Sequence, residues 1–354
     1  MTGDTGWATF DGRVATGAVE CVDVRAEPDR LATGTWFVVA DFEGPARAWR
    51  FARVRDAVVP PPDAPDDTWR GPAPDAWTSS MDQARYEAAV ARVREHVREG
   101  DVYQANICRV LSAPLPAGAT EPDARALAAR LAAGNPAPHA AAVHVPAATG
   151  LDPVWVVSAS PELYLSVLHD DGATVVESGP IKGTARTPDG LTEKDRAENV
   201  MITDLVRNDL QTVCRPGTVE VTALLAVEEH PGLVHLVSRV RGTLRDDVAR
   251  SGDLWRRLLA GTFPPGSVSG APKSSALRII EELEPVPRGP YCGAVGWVHD
   301  GEASLAVGIR TFWWADGVLR FGTGAGITWG SDPTAEWHET ELKAERLVGL
   351  ASGG

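Results

Sequence analysis

Lys182 and a set of spaced carboxylates are the residues of this chain whose types and spacing could do chemistry. Residues 177–210 read ESGPIKGTARTPDGLTEKDRAENVMITDLVRNDL. Pro180 and Gly183 flank the lysine, so its amine sits on a short, stiff turn; Gly183, lacking a Cβ, admits close approach by backbone or ligand. Such an amine is a nucleophile when neutral. Downstream, Thr192 and Asp195 have the spacing of a capping box, and Glu198, Met201, Ile202 and Leu205 fall on one helical face. A carboxylate at the head of an apolar stripe needs an arginine, a lysine or a metal cation, because burying it alone is costly. The last helix, DPTAEWHETELKAERLVGL, has Pro333 at its first position and Glu336 and Glu339 three apart on one face. Two helices with paired acids suit a hard cation with oxygen ligands and retained waters, hence Mg²⁺. The same acids also fit a solvated face, and Lys182 an ordinary surface amine. The spacing alone leaves both open.

Other polar residues could act with them. Glu162 follows Pro161 where a strand restarts, as a general acid/base or as an edge-strand acid. His235 lies among alternating apolar neighbours in GLVHLVSRVRGTL, a packed residue or a site residue. Arg310, expected within a strand, can hold a carboxylate bidentately. The glycine run 322–326, with Gly324 and Gly326, offers backbone amides to the same group. No βαβ unit surrounds that run, so it is not a dinucleotide site. In TFPPGSVSGAPKSSALRIIEELE, Gly270 and Lys273 are not adjacent and Pro272 removes an amide, which excludes a P-loop.

These residues need elements to position them. WFVVADF and AWRFARV read as strands around a Glu43-Gly44-Pro45 turn. Residues 56–76 are a proline-rich connector, which sets an N-terminal strand region over 1–75 apart from a catalytic domain over 76–354. A helix over 79–98 is capped by Ser79 or Ser80, carries Tyr86, Val90, Val93 and Val97 as its stripe and ends at Gly100. A strand follows at 101–115, with Gln104 as a surface residue. Residues 121–133 and 251–260 are helices. WVVSASPELYLSVL is a strand broken at Ser-Pro-Glu, and Ser269 is expected to cap the helix that begins near Pro272. Residues 289–330 form three or four antiparallel strands with turns at His299-Asp300-Gly301 and Asp316-Gly317.

The 354 residues and 44% hydrophobic content allow a substantial core, and a net charge of −14 argues against nucleic acid as a partner. An acidic chain still holds an anionic substrate if local cations or amides reverse the field. Cys21, Cys108, Cys214 and Cys292 are scattered, without zinc spacing, as in a reducing cytoplasm. The N-terminus has no secretory pattern and no apolar run reaches membrane-spanning length, so a cytoplasmic protein without membrane contact is expected.

In order, SPE, PIKGT, DRAEN, RNDL, HLVS, SGAPK, IRT, TGAGI and AEWHET resemble the motifs of the chorismate-utilising enzymes over residues 79–348. Within that family the chain is most similar to the aminodeoxychorismate synthase component I group; anthranilate synthase component I typically reads PIAGT in place of PIKGT. The resemblance implies an α+β sandwich of two packed, mainly antiparallel sheets with helices outside. It implies Lys182 as nucleophile, Glu162 as acid/base and His235 near the departing hydroxyl. Arg310, Tyr291 and Gly326 would hold the enolpyruvyl carboxylate, with Gly324, Ser267 and Thr184 also touching substrate. Glu198 and Glu339 would ligate Mg²⁺, with Asp195 and Glu336 in the layer around them. Chorismate and ammonia are the implied substrates, the ammonia coming from a separate glutamine amidotransferase subunit. The expected function is conversion of chorismate and ammonia to 4-amino-4-deoxychorismate. The alternatives are anthranilate synthase component I, an isochorismate or salicylate synthase, which Gln104 disfavours by replacing a water-activating lysine, and a non-catalytic chorismate-binding subunit.

Overall fold

The computed structural model describes residues 5–56, 69–115, 121–230 and 233–353. Its first half contains β1 (Trp7–Phe10), β2 (Arg13–Asp23), β3 (Thr35–Ala40), β4 (Ala46–Asp56), β5 (Thr78–Ser79), α1 (Gln83–Glu99), β6 (Gln104–Pro114), α2 (Ala124–Gly134), β7 (His139–Val145), β8 (Val154–Ser160), β9 (Leu163–Asp170) and β10 (Ala173–Gly179). The second contains β11 (Ile181–Ala185), α3 (Glu193–Gln211), β12 (Glu220–His230), β13 (Leu233–Thr243), α4 (Asp246–Ala249), α5 (Leu254–Thr262), β14 (Gly270–Ala271), α6 (Lys273–Leu283), β15 (Ala294–His299), β16 (Glu302–Val307), β17 (Thr311–Ala315), β18 (Val318–Ile327) and α7 (Pro333–Ala351). None of the described helices is long and apolar enough to cross a membrane.

The expected α+β architecture is present, and every strand pairing is antiparallel. The strands form one continuous ladder rather than two separate sheets. One half runs β13-β10-β9-β16-β15-β3-β4-β2. Through the β2–β1 pair it continues as β1-β7-β8-β17-β18-β6. The N-terminal strands are thus built into the same ladder as the rest. Most of the proline-rich connector, residues 57–68, lies outside the described residues. Both expected Asp-Gly turns have positive φ at each residue, as a type I′ hairpin requires, and Asp11-Gly12 and Asp171-Gly172 repeat the device.

Two links cross between the halves of the ladder. Pro161-Glu162 joins β8 to β9, and residues 308–310 join β16 to β17. Because β8 pairs with β17 and β9 with β16, the links run side by side. Ala159 N–H donates to the Arg310 carbonyl and Val307 N–H to the Glu162 carbonyl, both at 3.0 Å. Two candidate site residues far apart along the chain, Glu162 and Arg310, are therefore fixed at one seam.

The helices bring the remaining groups to that seam. In α3 the capping box forms as expected: Thr192 accepts from Asp195 N–H, and Asp195 accepts from Thr192 N–H. Asp332 caps α7 with Pro333 at its first position. The Arg109 guanidinium of β6 lies 4.1 Å from the Trp337 ring centre and donates to Thr340 at 2.9 Å, anchoring α7. Leu127 and Leu131 of α2 and Ala344 and Leu347 of α7 join Trp155, Phe312 and Phe321 in a core cluster on the β8-β17-β18 part of the ladder.

Two cap assignments from the sequence differ. Asp82, not Ser79 or Ser80, caps α1: the Ser80 hydroxyl is taken by Val110 N–H and Ser79 belongs to β5. No side chain caps α6; the Ser269 hydroxyl is buried and donates to the Pro265 carbonyl. A tertiary hydrogen bond takes the Ser80 hydroxyl and a local one, four residues back, takes that of Ser269.

Candidate active site

A cavity of about 580 Å³ opens at the seam, walled by the two crossing links, β11, β13, β18, α3 and α7. It collects Glu162, Lys182, Thr184, Asp195, Glu198, His235, Tyr291, Arg310, Gly324, Gly326, Glu336 and Glu339 from across the sequence. Ser267 is the one site residue expected from the sequence that does not line it. Its carbonyl instead accepts from Lys182 Nζ at 2.8 Å.

Lys182 sits on β11 rather than on a turn. The β11–β13 register slips between Ile181 and Thr184, and Gly183 in the slip has φ +95°. The group that needs this glycine is a side chain: an added Cβ would stand 2.8 Å from Asp195 Cβ. Gly183 thus lets the start of α3 close onto β11 and brings the acids to the amine. Thr184 Oγ1 is 2.8 Å from His235 Nδ1 across the same strand pair.

Glu162 is 3% exposed. Burial pushes its carboxyl up to about 7, against the pull of Lys182 and hydrogen bonds from Ser267 and the Ile181 backbone. A carboxyl half protonated at neutral pH beside an amine suits general acid/base chemistry.

The acids of α3 and α7 face each other across the cavity. Burial raises the Glu198 carboxyl, Lys182 and Lys194 oppose that, and Glu336 and Glu339 reinforce it. Burial also works against the Glu339 carboxylate, but Lys343, with Nζ at 2.6 Å, holds it below the usual range. Lys194 Nζ stands 3.2 Å from Glu336 Oε1 and 3.7 Å from Glu198 Oε1. Asp195 is partly spent, its Oδ2 holding Thr192.

These acids fit a divalent cation. Glu198 Oε1 is buried without a hydrogen bond, an oxygen that a cation satisfies, and an ammonium already lies against two of the acids. Their oxygens do not converge tightly. Among the described residues the group whose ligand atoms lie within 4.8 Å of one another is His96, Glu99 and Asp101, at the end of α1.

Lys194 and Lys343 were missed in the sequence, although each stands four residues from an acid on its own helix, Lys194 before Glu198 and Lys343 after Glu339. That signal was available. Removing the Lys194 ammonium is worth about 1 kcal/mol for a half-exposed pair, so Lys194→Gln is expected to bind Mg²⁺ about five-fold more tightly. Titration calorimetry, or Mn²⁺ binding followed by paramagnetic resonance, checks this; equal or weaker binding would show that the ammonium does not compete.

Arg310 and β18 offer the same cavity donors for an anion. Arg310 lies in a bend between strands, not within one, at φ +53°. Its guanidinium makes no ion pair or hydrogen bond among the described residues, and burial alone lowers its pKa. A half-buried cation without a counter-charge, in a chain of net charge −14, is a ready partner for a carboxylate. Beyond Phe321, β18 has lost β17 from one edge. Gly324 turns its carbonyl to that edge, where Lys343 Nζ donates at 3.0 Å. In a strand the N–H of a residue points with its carbonyl, and residues two apart share an edge. The amides of Gly322, Gly324 and Gly326 therefore face the cavity.

The glycines also have a packing reason. Added Cβ atoms would meet the Tyr291 ring at 2.0 Å, Cys108 Sγ at 2.5 Å and Gln104 Nε2 at 2.0 Å at Gly322, Gly324 and Gly326 respectively. Tyr291 lies in the turn before β15 rather than on a strand. Gln104, expected on the surface, is buried against Gly326, because β6 pairs with β18 on one edge and, at Gln104, with β14 on the other.

Residues 6–349 match the family described as chorismate binding enzyme. Among curated relatives, the chain is 40% identical over 285 residues to anthranilate synthase component 1 of Streptomyces coelicolor, covering 77% of this chain and 52% of the relative. It is 38% identical over 277 residues to an aminodeoxychorismate synthase of Streptomyces pristinaespiralis, covering 75% and 36%. The match spans roughly half to two thirds of the length of the first of these relatives. A putative 2,3-dihydroxybenzoate-specific isochorismate synthase of Bacillus anthracis has a similar fold, with TM-score 0.77 at 22% identity, covering 98% and 95% of the two chains. Anthranilate synthase component I of Streptococcus pneumoniae does so with TM-score 0.70 at 24% identity, covering 98% and 81%.

Proposed function

The chain belongs to the chorismate binding enzyme family, and on that premise we propose that it aminates chorismate at C4, as an aminodeoxychorismate synthase component I does. The observation that carries this reading is Lys182: its amine enters the cavity between a buried carboxyl and a cluster of acids, where a nucleophile is wanted. Chorismate carries two carboxylates. Arg310, Tyr291 and the amides of Gly322, Gly324 and Gly326 would hold the enolpyruvyl one, and the ring carboxylate would face the acid end. Glu198 and Glu339, with Asp195 and Glu336 around them, would hold Mg²⁺, whose charge neutralises that ring carboxylate.

The residues then act in sequence. Neutral Lys182 Nζ bonds to C2 as the C4–O bond breaks, and Glu162 gives its proton to the departing hydroxyl, beside His235 and Thr184, so that water leaves. Ammonia bonds to C4, the C2–N bond breaks and Lys182 departs as an amine. The new ammonium group returns a proton to Glu162. The product is 4-amino-4-deoxychorismate with its enolpyruvyl group retained. Ammonia would come from a separate glutamine amidotransferase subunit.

Anthranilate synthase component I is the second reading, and the relatives of that name support it at up to 40% identity. Product identity separates the two. Protein supplied with chorismate, Mg²⁺ and ammonium, followed by a lyase that releases p-aminobenzoate, is expected to yield p-aminobenzoate. Accumulation of anthranilate would move the protein to the second reading, and isochorismate would overturn both.

A further inference from the structure

A second, smaller void of about 20 Å³ also touches Glu162. Glu162 is shared by the two spaces. The lining of the smaller one includes Asp209 of α3, which pairs with Lys273 of α6 at 2.7 Å. Lys273 also donates to the Thr262 carbonyl at 2.9 Å. Ser178, Thr262 and Ser267 add polar groups to a lining otherwise made largely of Leu, Val and Pro side chains, with Thr262 standing 2.6 Å from the Tyr164 hydroxyl. A space of this size holds a water when several polar groups surround it. The mechanism above uses none of Asp209, Lys273 or Ser178, and a structural ion pair would not need an unfilled space beside it.

We propose that this void is a water site joining the Glu162 carboxyl to the Asp209–Lys273 pair, through which Glu162 exchanges protons with solvent while substrate fills the main cavity. The Asp209 and Lys273 side chains are 15% and 17% exposed, so the pair reaches solvent from a wall the substrate does not touch. The proton on Asp209 passes to the water, the water passes one to the Glu162 carboxylate, and Asp209 recovers its proton from solvent. The Lys273 ammonium keeps its charge throughout. Burial pushes Asp209 up to about 6, against the pull of Lys273, and Glu162 up to about 7 against Lys182, so the two carboxyls exchange a proton at little cost. The inference rests on Glu162 acting as the acid of the proposed reaction. Asp209 is then a positioning and relay residue and touches no substrate.

Asp209→Asn and Ser178→Val are the tests, the second placing apolar bulk in the void without touching the ion pair. Chorismate consumption is followed in H₂O and D₂O, whichever product forms. Each variant is expected to lose about ten-fold in kcat, less than the ~10²–10⁴ lost with the acid itself, with an unchanged KM for chorismate and a larger solvent isotope effect. If Asp209→Asn fails to fold, Ser178→Val carries the test. A parent protein that consumes no chorismate removes the Glu162 acid and the relay together. A parent that turns over while Ser178→Val matches it in kcat and isotope effect removes the relay alone.

Discussion

Lys182→Ala is expected to lower chorismate consumption with ammonium by about a thousand-fold, because it removes the covalent partner and not a contact. The amine comes from β11 at a register slip, is held by the Ser267 carbonyl at 2.8 Å, and has acids on two sides. No neighbouring group can replace it: Lys194 and Lys343 are committed to Glu336 and Glu339. Chorismate affinity should change far less, since Arg310 and the β18 amides are untouched. Equilibrium binding and single-turnover rates separate the two. A variant that turns over as fast as the parent would take lysine out of the mechanism.

Glu162→Gln should lose about 10²–10⁴ in kcat, the usual worth of a positioned acid, while gaining stability at alkaline pH. The sign follows from burial. The carboxyl moves from 4.5 to about 7 on folding, so folding favours its protonated form. That contribution is complete below the unfolded value and is lost as pH rises through the folded one, because the native state must then bury a carboxylate. The difference is on the order of 3 kcal/mol. Glutamine carries no charge to bury. At about pH 8 the variant should therefore resist urea better than the parent, and near about pH 4 the two should coincide. The fall in parent kcat above neutral pH should vanish from the residual activity of the variant. Equal stability of the two proteins at every pH would show that Glu162 is not held neutral by the fold.

Local patterns carried a large part of the site. Thr192 and Asp195 announced their capping box, Pro333 its helix start, and Asp300-Gly301 and Asp316-Gly317 their hairpins, because steric and hydrogen-bonding rules act over a few residues. The pairing of acids three apart on two helices pointed to a common cavity, and the structure puts all four acids there. The serine caps failed where another backbone group took the hydroxyl, the distant Val110 N–H at Ser80 and the nearby Pro265 carbonyl at Ser269. Arg310 was placed within a strand because its neighbours are strand formers; the link between two halves of the ladder forces it into a left-handed bend instead.

The sequence by itself determined most of the elements, the α3 capping box, the Pro333 start of α7, the Asp-Gly turns, the residue types offered for chemistry and the family they resemble, since each depends on neighbours a few positions away. Only the tertiary structure decided that Glu162 and Arg310 meet at one seam, that Lys194 and Lys343 already sit against the acids, that Gln104 is buried, and that a small void touches both Glu162 and Asp209. Those facts depend on strands well over a hundred residues apart pairing in one register. A partner that distant leaves no periodic trace in the local sequence.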